Sequence, residues 1–204
     1  MKLKEFFKAR PAFVGSFPSV REIPASREPE IAFAGRSNVG KSSLINAVFS
    51  APGLAKTSAT PGRTQMLNFF SLAGRLMIVD LPGYGFAKAP KRAAEAWNEN
   101  VRIYLKGRSQ LKRLFLLVDA RQGPKPADEE MMAMLDAAAV GYQITLTKTD
   151  KASEAELASA REKIAAGFKS HAAMHPLILE SSSETGSGLD EIRGEIFDMA
   201  TQKH

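Results

Sequence analysis

The sequence predicts an α/β fold: a mostly parallel six-stranded sheet with one antiparallel strand and helices on both faces. Three observations carry that expectation. Short apolar runs alternate with helix-period segments along most of the 204 residues, as in successive strand–helix–strand crossovers. The first run, Ile31-Ala32-Phe33-Ala34, shows no polar alternation, so both of its faces should be buried, as in a parallel sheet. Four chemistry-bearing clusters each follow a strand-like run directly, and the carboxyl ends of strands are where such sheets bind ligands.

Taken in order, residues 1–29 carry Pro11, Pro18, Pro24 and Pro29 and no clean period. They read as an N-terminal extension, ordered only in part, with Phe6, Phe7 and Phe13 packing back. The domain proper spans 30–204. Its first strand is 30–35, followed by a glycine-bounded turn and a helix over 41–49. Residues 50–64 are small, polar and rich in proline and glycine, hence a loop, and a loop of that length is usually functional. Strands over 65–72 and 75–80 meet through Ala73-Gly74 as an antiparallel hairpin. A helix over 91–106 turns Trp97, Val101, Tyr104 and Leu105 to the core and leaves Arg102, Lys106 and Arg108 outward. A strand over 114–119 precedes a helix over 127–140 with Met131, Met134 and Leu135 inward. A fifth strand spans 142–147. The next helix, 153–168, has Ser153 as N-cap and Glu156 as its capping-box partner. A short strand over 176–180 and a helix over 189–200 complete the chain.

Composition narrows the class. Hydrophobic residues make up 44% and charged residues 25%, enough for one well-buried core. The absence of cysteine excludes a disulfide framework and thiolate metal sites. The N-terminal residues interleave charges with apolar groups, and no apolar stretch reaches membrane-spanning length, so a cytoplasmic, monomeric protein without membrane contact is expected. The net charge is +6, and residues 86–113 alone hold eight basic residues (Lys88, Lys91, Arg92, Arg102, Lys106, Arg108, Lys112, Arg113) against Glu95 and Glu99. Such a surplus suits a polyanionic partner; the alternative is a solvated helix face.

The chemistry lies in the four clusters. Gly35-Arg36-Ser37-Asn38-Val39-Gly40-Lys41-Ser42-Ser43 stands between strand and helix, the context of a phosphate-binding loop. Its backbone N–H groups and the helix N-terminus would cradle phosphates, Lys41 would reach the terminal ones, and the Ser42 hydroxyl would ligate magnesium. Asp80-Leu81-Pro82-Gly83 offers a carboxylate to hold magnesium through water and a glycine N–H for the terminal phosphate. Thr147-Lys148-Thr149-Asp150 places a carboxylate that pairs with the N1–H and amino group of guanine, a donor pair that adenine lacks. The Lys148 stem would lie along the base, and the Thr147 hydroxyl would tie this loop to the phosphate loop. The sixth strand ends in Ser182-Ser183-Glu184-Thr185-Gly186, whose backbone would face guanine O6, and Ser181, Ser182 and Ser183 are the candidate contacts.

These residues, with Thr60-Pro61-Gly62-Arg63-Thr64-Gln65 and the segment Gly83-Tyr84-Gly85-Phe86-Ala87-Lys88, resemble the EngB family of bacterial ribosome-assembly GTPases. Family-specific marks are the Pro-Gly-Tyr-Gly segment and the threonine Thr147 where most GTPases have asparagine. The resemblance implies a Ras-like P-loop GTPase domain that hydrolyses GTP to GDP as a switch in maturing the large ribosomal subunit, through ribosomal RNA or particles, with a link to division and septation. It further implies that Thr64, with Thr60 as the second candidate, joins Ser42 and Asp80 on magnesium, and that Gly62, Arg63, Thr64, Gln65 and Met66 contact nucleotide. Lys41, Thr64 and Gly83 are then the candidate catalytic residues. A potassium ion is also suggested, because similar GTPases with asparagine at the position of Asn38 use one in place of an arginine finger. Ser181 and Ser183 depart from the family pattern, which bears on the alignment of that loop.

Tyr84 occupies the position where Ras-type enzymes orient the attacking water with glutamine. Either positioning comes from elsewhere, or Tyr84 is a hinge aromatic. Three readings follow: a GTP-driven switch on ribosomal particles, a GTPase switch working through protein–protein contacts in division, and an adenine-nucleotide P-loop enzyme. Asp150 argues against the third.

Overall fold

A computed structural model of the chain describes residues 2–55, 66–85 and 91–201, with the backbone alone for 91–97. The helices are α1 (Leu3–Phe6), α2 (Lys41–Val48), α3 (Lys91–Gly107), α4 (Pro126–Ala137), α5 (Glu154–Gly167) and α6 (Leu189–Thr201). The strands are β1 (Ala12–Phe17), β2 (Glu30–Gly35), β3 (Leu67–Leu72), β4 (Leu76–Asp80), β5 (Leu111–Asp119), β6 (Tyr142–Thr147) and β7 (Leu179–Glu180). They form one sheet in the order β1-β3-β4-β2-β5-β6-β7. β3 pairs antiparallel with both β1 and β4, and every other pairing is parallel, so β3 alone runs against the rest.

The sheet therefore has seven strands rather than the expected six. The seventh is β1, from the stretch read as an extension. Its outer positions are exposed, and its proline flanks and Gly15 hide the strand period from a sequence reading. Its side chains nonetheless find partners: the Phe17 ring meets Phe69 and the Phe13 ring meets Phe70. Phe6 on α1 is buried against Phe197 of α6, while Phe13 stays 62% exposed.

Two apolar layers sandwich the sheet. Ala32, Ala34, Leu114, Leu116 and Ile144 join Val101, Tyr104, Leu105, Met131, Leu135 and Leu157 on one face. Ile31, Phe33, Ile78, Phe115 and Leu117 join Phe6, Leu44, Ile45, Ile192 and Ile196 on the other. The non-alternating burial of β2 on both faces follows from that sandwich. On α4, Met131 and Leu135 are buried as expected, Met134 packs half-buried against the same core, and Met132 is buried as well. Trp97 falls among the residues described by backbone only. The last strand is shorter than expected, with ladder pairs only at Leu179 and Glu180.

One outward assignment is corrected. Arg108 turns inward, its guanidinium 2.7 Å from the fully buried Glu30 carboxylate, which also accepts from the Tyr104 hydroxyl. A buried carboxylate needs such partners, and here they fasten the end of α3 to the start of β2. Arg113 is likewise engaged, with Gln143 and Glu195.

Candidate functional site

The parallel strands all point one way, so the turns after β2, β4, β5, β6 and β7 converge on one edge of the sheet. Each predicted cluster that the structure describes is found there. After β2 the chain turns through residues 35–40. Val39 N–H donates to the Arg36 carbonyl, Asn38 adopts a left-handed conformation (φ 64°), and Gly40 enters α2 at φ 103°, a value suited to glycine. A side chain on Gly35 would meet Val39 Cγ1 at 2.8 Å and Leu117 at 3.1 Å, so this glycine is required for packing. Lys41, Ser42 and Ser43 form the first turn of α2, the positive end of the helix dipole, which suits an anion.

Asp80, nearly buried at the end of β4, forms an ion pair with Lys41. That contact brings the carboxylate to the start of α2, beside the residue preceding Ser42. A carboxylate and a hydroxyl are hard oxygen donors of the kind magnesium takes, so these residues fit that ion. Beyond Asp80 the chain continues along the phosphate loop: Leu81 N–H donates to Phe33 O, Tyr84 N–H to Gly35 O, and Ser37 N–H to Tyr84 O. Gly83 lies against Ser37.

After β6, the Thr147 hydroxyl donates to the Val39 carbonyl at 2.6 Å, and Lys148 Nζ donates to Asn38 O at 2.6 Å. Two side chains of this cluster thus hold the phosphate loop. Lys148 takes a left-handed backbone (φ 58°), and Thr149, Asp150 and Lys151 make one 3-10 turn with Asp150 exposed. After β7, Ser181 is stitched to Leu146 through its N–H and hydroxyl, and its carbonyl accepts from Thr149 N–H. The Ser182 hydroxyl accepts from Glu184 and Thr185 N–H and so shapes the following turn. Ser183 is half-buried beside it. Met66 stands immediately before β3 at the same edge, because β3 begins where β4 ends. Gly62, Arg63, Thr64 and Gln65 lie outside the described residues.

Two site residues escaped the sequence reading. Asp119, at the end of β5, sits 3.1 Å from Lys148 Nζ and receives a fork of hydrogen bonds from Arg121. Burial pushes its carboxyl up, but the bonds from Arg121 and Lys148 overcome this and bring its pKa down to about 2. The signal was available, since Asp119 ends a strand as Asp80 does. Asp128, on the first turn of α4, is the other; its carboxylate accepts from the Tyr84 hydroxyl at 2.8 Å. A helix-face aspartate gave no such cue. Among the described residues no cluster of three or more histidine, cysteine or acidic side chains is arranged to hold a metal.

Comparison with known proteins bears on this geometry. A family model described as "50S ribosome-binding GTPase" matches residues 30–148. The "Probable GTP-binding protein EngB" of Rhodospirillum rubrum is 48% identical over 195 residues, covering 93% of this chain and 84% of the relative. That of Sinorhizobium medicae is 50% identical over 197 residues, covering 90% and 89%. The chain belongs to the EngB family of GTPases. A crystal structure of a probable EngB shares its fold, with a TM-score of 0.69 at 22% identity over 85% of this chain and all of the other. Era in complex with MgGDPNP and nucleotides 1506–1542 of 16S ribosomal RNA also shares it, with a TM-score of 0.63 at 21% identity over 88% of this chain and 59% of that one. This EngB-family chain is therefore a guanine-nucleotide-binding protein and a GTP hydrolase. No helix among the described residues is long and apolar enough to cross a membrane.

Proposed function

We propose that this GTPase is a nucleotide-driven switch in assembly of the large ribosomal subunit, working in the cytoplasm as a monomer and needed for normal division and septation. The observation that carries the reading is the convergence on one sheet edge of Lys41, Asp80, Gly83, Thr147, Lys148 and Asp150, within a family described as binding the 50S particle. In this reading residues 35–43 cradle the phosphates, and Lys41 exchanges its bond to Asp80 for the terminal phosphates. Ser42, Thr64 and Asp80 hold magnesium, which supplies charge neutralisation at the phosphates. Gly83 N–H senses the terminal phosphate. Asp150 selects guanine, with Lys148 along the base and 181–183 behind it. Residues 62–66 contact nucleotide from the stretch between α2 and β3. A potassium ion beside Asn38 would add the positive charge that an arginine finger supplies elsewhere.

The partner surface is narrower than the count of basic residues implies. Arg108 and Arg113 are committed to internal pairs, leaving Arg102 and Lys106 as exposed cations on the described part of α3. Lys88, Lys91 and Arg92 belong to segments whose side chains are outside the description. Sedimentation with ribosomal subunits tests the proposal. Binding should be stronger with a non-hydrolysable GTP analogue than with GDP, and should weaken steeply with salt as phosphate contacts are lost. Equal, salt-insensitive co-sedimentation in both nucleotide states would favour a switch acting through protein contacts in division.

A further inference from the structure

Tyr84 follows Gly83 directly and is 6% exposed. Its hydroxyl donates to Asp128 Oδ1 at 2.8 Å, while the other oxygen of that carboxylate accepts from Lys125 N–H at 2.9 Å. Asp128 is 1% exposed and thus bound on both sides, to the segment after β4 and to the N-terminus of α4. The Tyr84 backbone is held as firmly. Its N–H donates to Gly35 O and its carbonyl accepts from Ser37 N–H, making a one-pair parallel bridge with Arg36. The two flanking glycines show what the segment lies against. A Cβ on Gly83 would stand 3.0 Å from Ser37 Oγ, and one on Gly85 would stand 3.5 Å from Arg36 Cγ and 3.6 Å from Ala127 Cβ. Residues 83–85 therefore lie between the start of the phosphate loop and the first turn of α4.

Burial, then the neighbouring Asp128 charge, raises the Tyr84 phenol well above its ordinary pKa, so its proton stays on the oxygen and remains available to the carboxylate. A hydrogen bond to a buried carboxylate is among the stronger single contacts, and its loss strands an acceptor.

We propose that Asp128 is a positioning residue which, through Tyr84, pre-orders the Gly83 peptide for a terminal phosphate. This rests on the reading that Gly83 senses that phosphate. Tyr84 here is a tether of the sensing segment to α4, its hydroxyl engaged by Asp128. Ordering supplied by the fold need not be supplied by the ligand, so the tether favours the nucleotide that contacts Gly83. GDP, without the terminal phosphate, gains nothing from it. The tether also makes the first turn of α4 the first structure beyond the site to feel the position of Gly83.

The test is calorimetric binding, with magnesium present, of GDP and a non-hydrolysable GTP analogue to the full chain and to Tyr84→Phe, Asp128→Ala and the double variant. Each variant is first checked by thermal melting. Tyr84→Phe keeps the buried ring and should weaken the analogue about tenfold while changing GDP less than twofold; the double variant should be no weaker than the worse single one. If Asp128→Ala does not fold, Tyr84→Phe alone decides. An unchanged analogue-to-GDP ratio in Tyr84→Phe, or equal loss for both nucleotides, overturns the proposal. Gly83→Ala separates the two layers. A ratio that moves in Gly83→Ala but not in Tyr84→Phe sinks the tether and leaves phosphate sensing standing. A ratio unmoved in Gly83→Ala overturns both.

Discussion

Single residues here act through what they join. Asp119 steadies Lys148, which in turn holds the phosphate-loop carbonyl of Asn38, so one buried carboxylate links three turns of the sheet edge. A second ionic cluster lies apart from the site. His171 contacts Asp136 at 2.6 Å through Nδ1 and Glu129 at 3.2 Å through Nε2. Burial lowers the imidazole pKa, but hydrogen bonds and charge from Asp136 and Glu129 prevail and raise it above its ordinary value. The folded state thus holds the proton more tightly than the unfolded chain. The resulting stability is full below the unfolded pKa, about 6.5, and is lost as pH rises through the folded value. Denaturant melts across pH 5 to 9 should show stability falling with pH, and His171→Gln should flatten that slope. A slope unaltered in His171→Gln would show that another group is responsible.

Among the elements, the phosphate loop, the hairpin, the alternation of strands and helices, and the capped helix at Ser153 were legible because each has a local cause. Ser153 and Glu156 form the reciprocal cap that their spacing implies, Glu30–Gly35 falls where its unbroken apolar run places it, and Tyr142–Thr147 is the strand expected over 142–147. What was not legible depends on distant partners. β1 is a strand only because β3 accepts it, and nothing in Asp128 announces a tyrosine 44 residues away. Arg108 shows the same limit: helical period turned it to solvent, while a buried Glu30 turns it inward. Replacing Arg108 with Met should cost about 3 kcal/mol in chemical denaturation, because one partner of a buried ion pair is removed and the other remains. Adding Glu30→Gln should recover part of that loss, since the stranded group is then neutral. Additive losses in the double variant would mean that the two residues do not work as a pair.

At the scale of the whole molecule, α1 and β1 bind the beginning of the chain to both of its far regions: Phe6 packs against Phe197 on α6, and β1 extends the sheet beyond β3. Phe6→Ala should remove about 3 kcal/mol of stability through the cavity it leaves. GDP affinity should be unchanged, since α1 lies outside the strand-end turns; a loss of GDP affinity greater than threefold in the folded variant would show the two regions to be coupled. The position of β1 also has a meaning in time. Ala12 is paired with Ser71, so during the protein's own synthesis β1 waits for a partner that is made only after the phosphate loop and α2. Such a pairing closes a long loop and is a slow kind of contact to form. The growing chain therefore carries Phe13, Val14 and Phe17 without their sheet neighbours until β3, which lies beyond the nucleotide-binding loop in sequence, has been made.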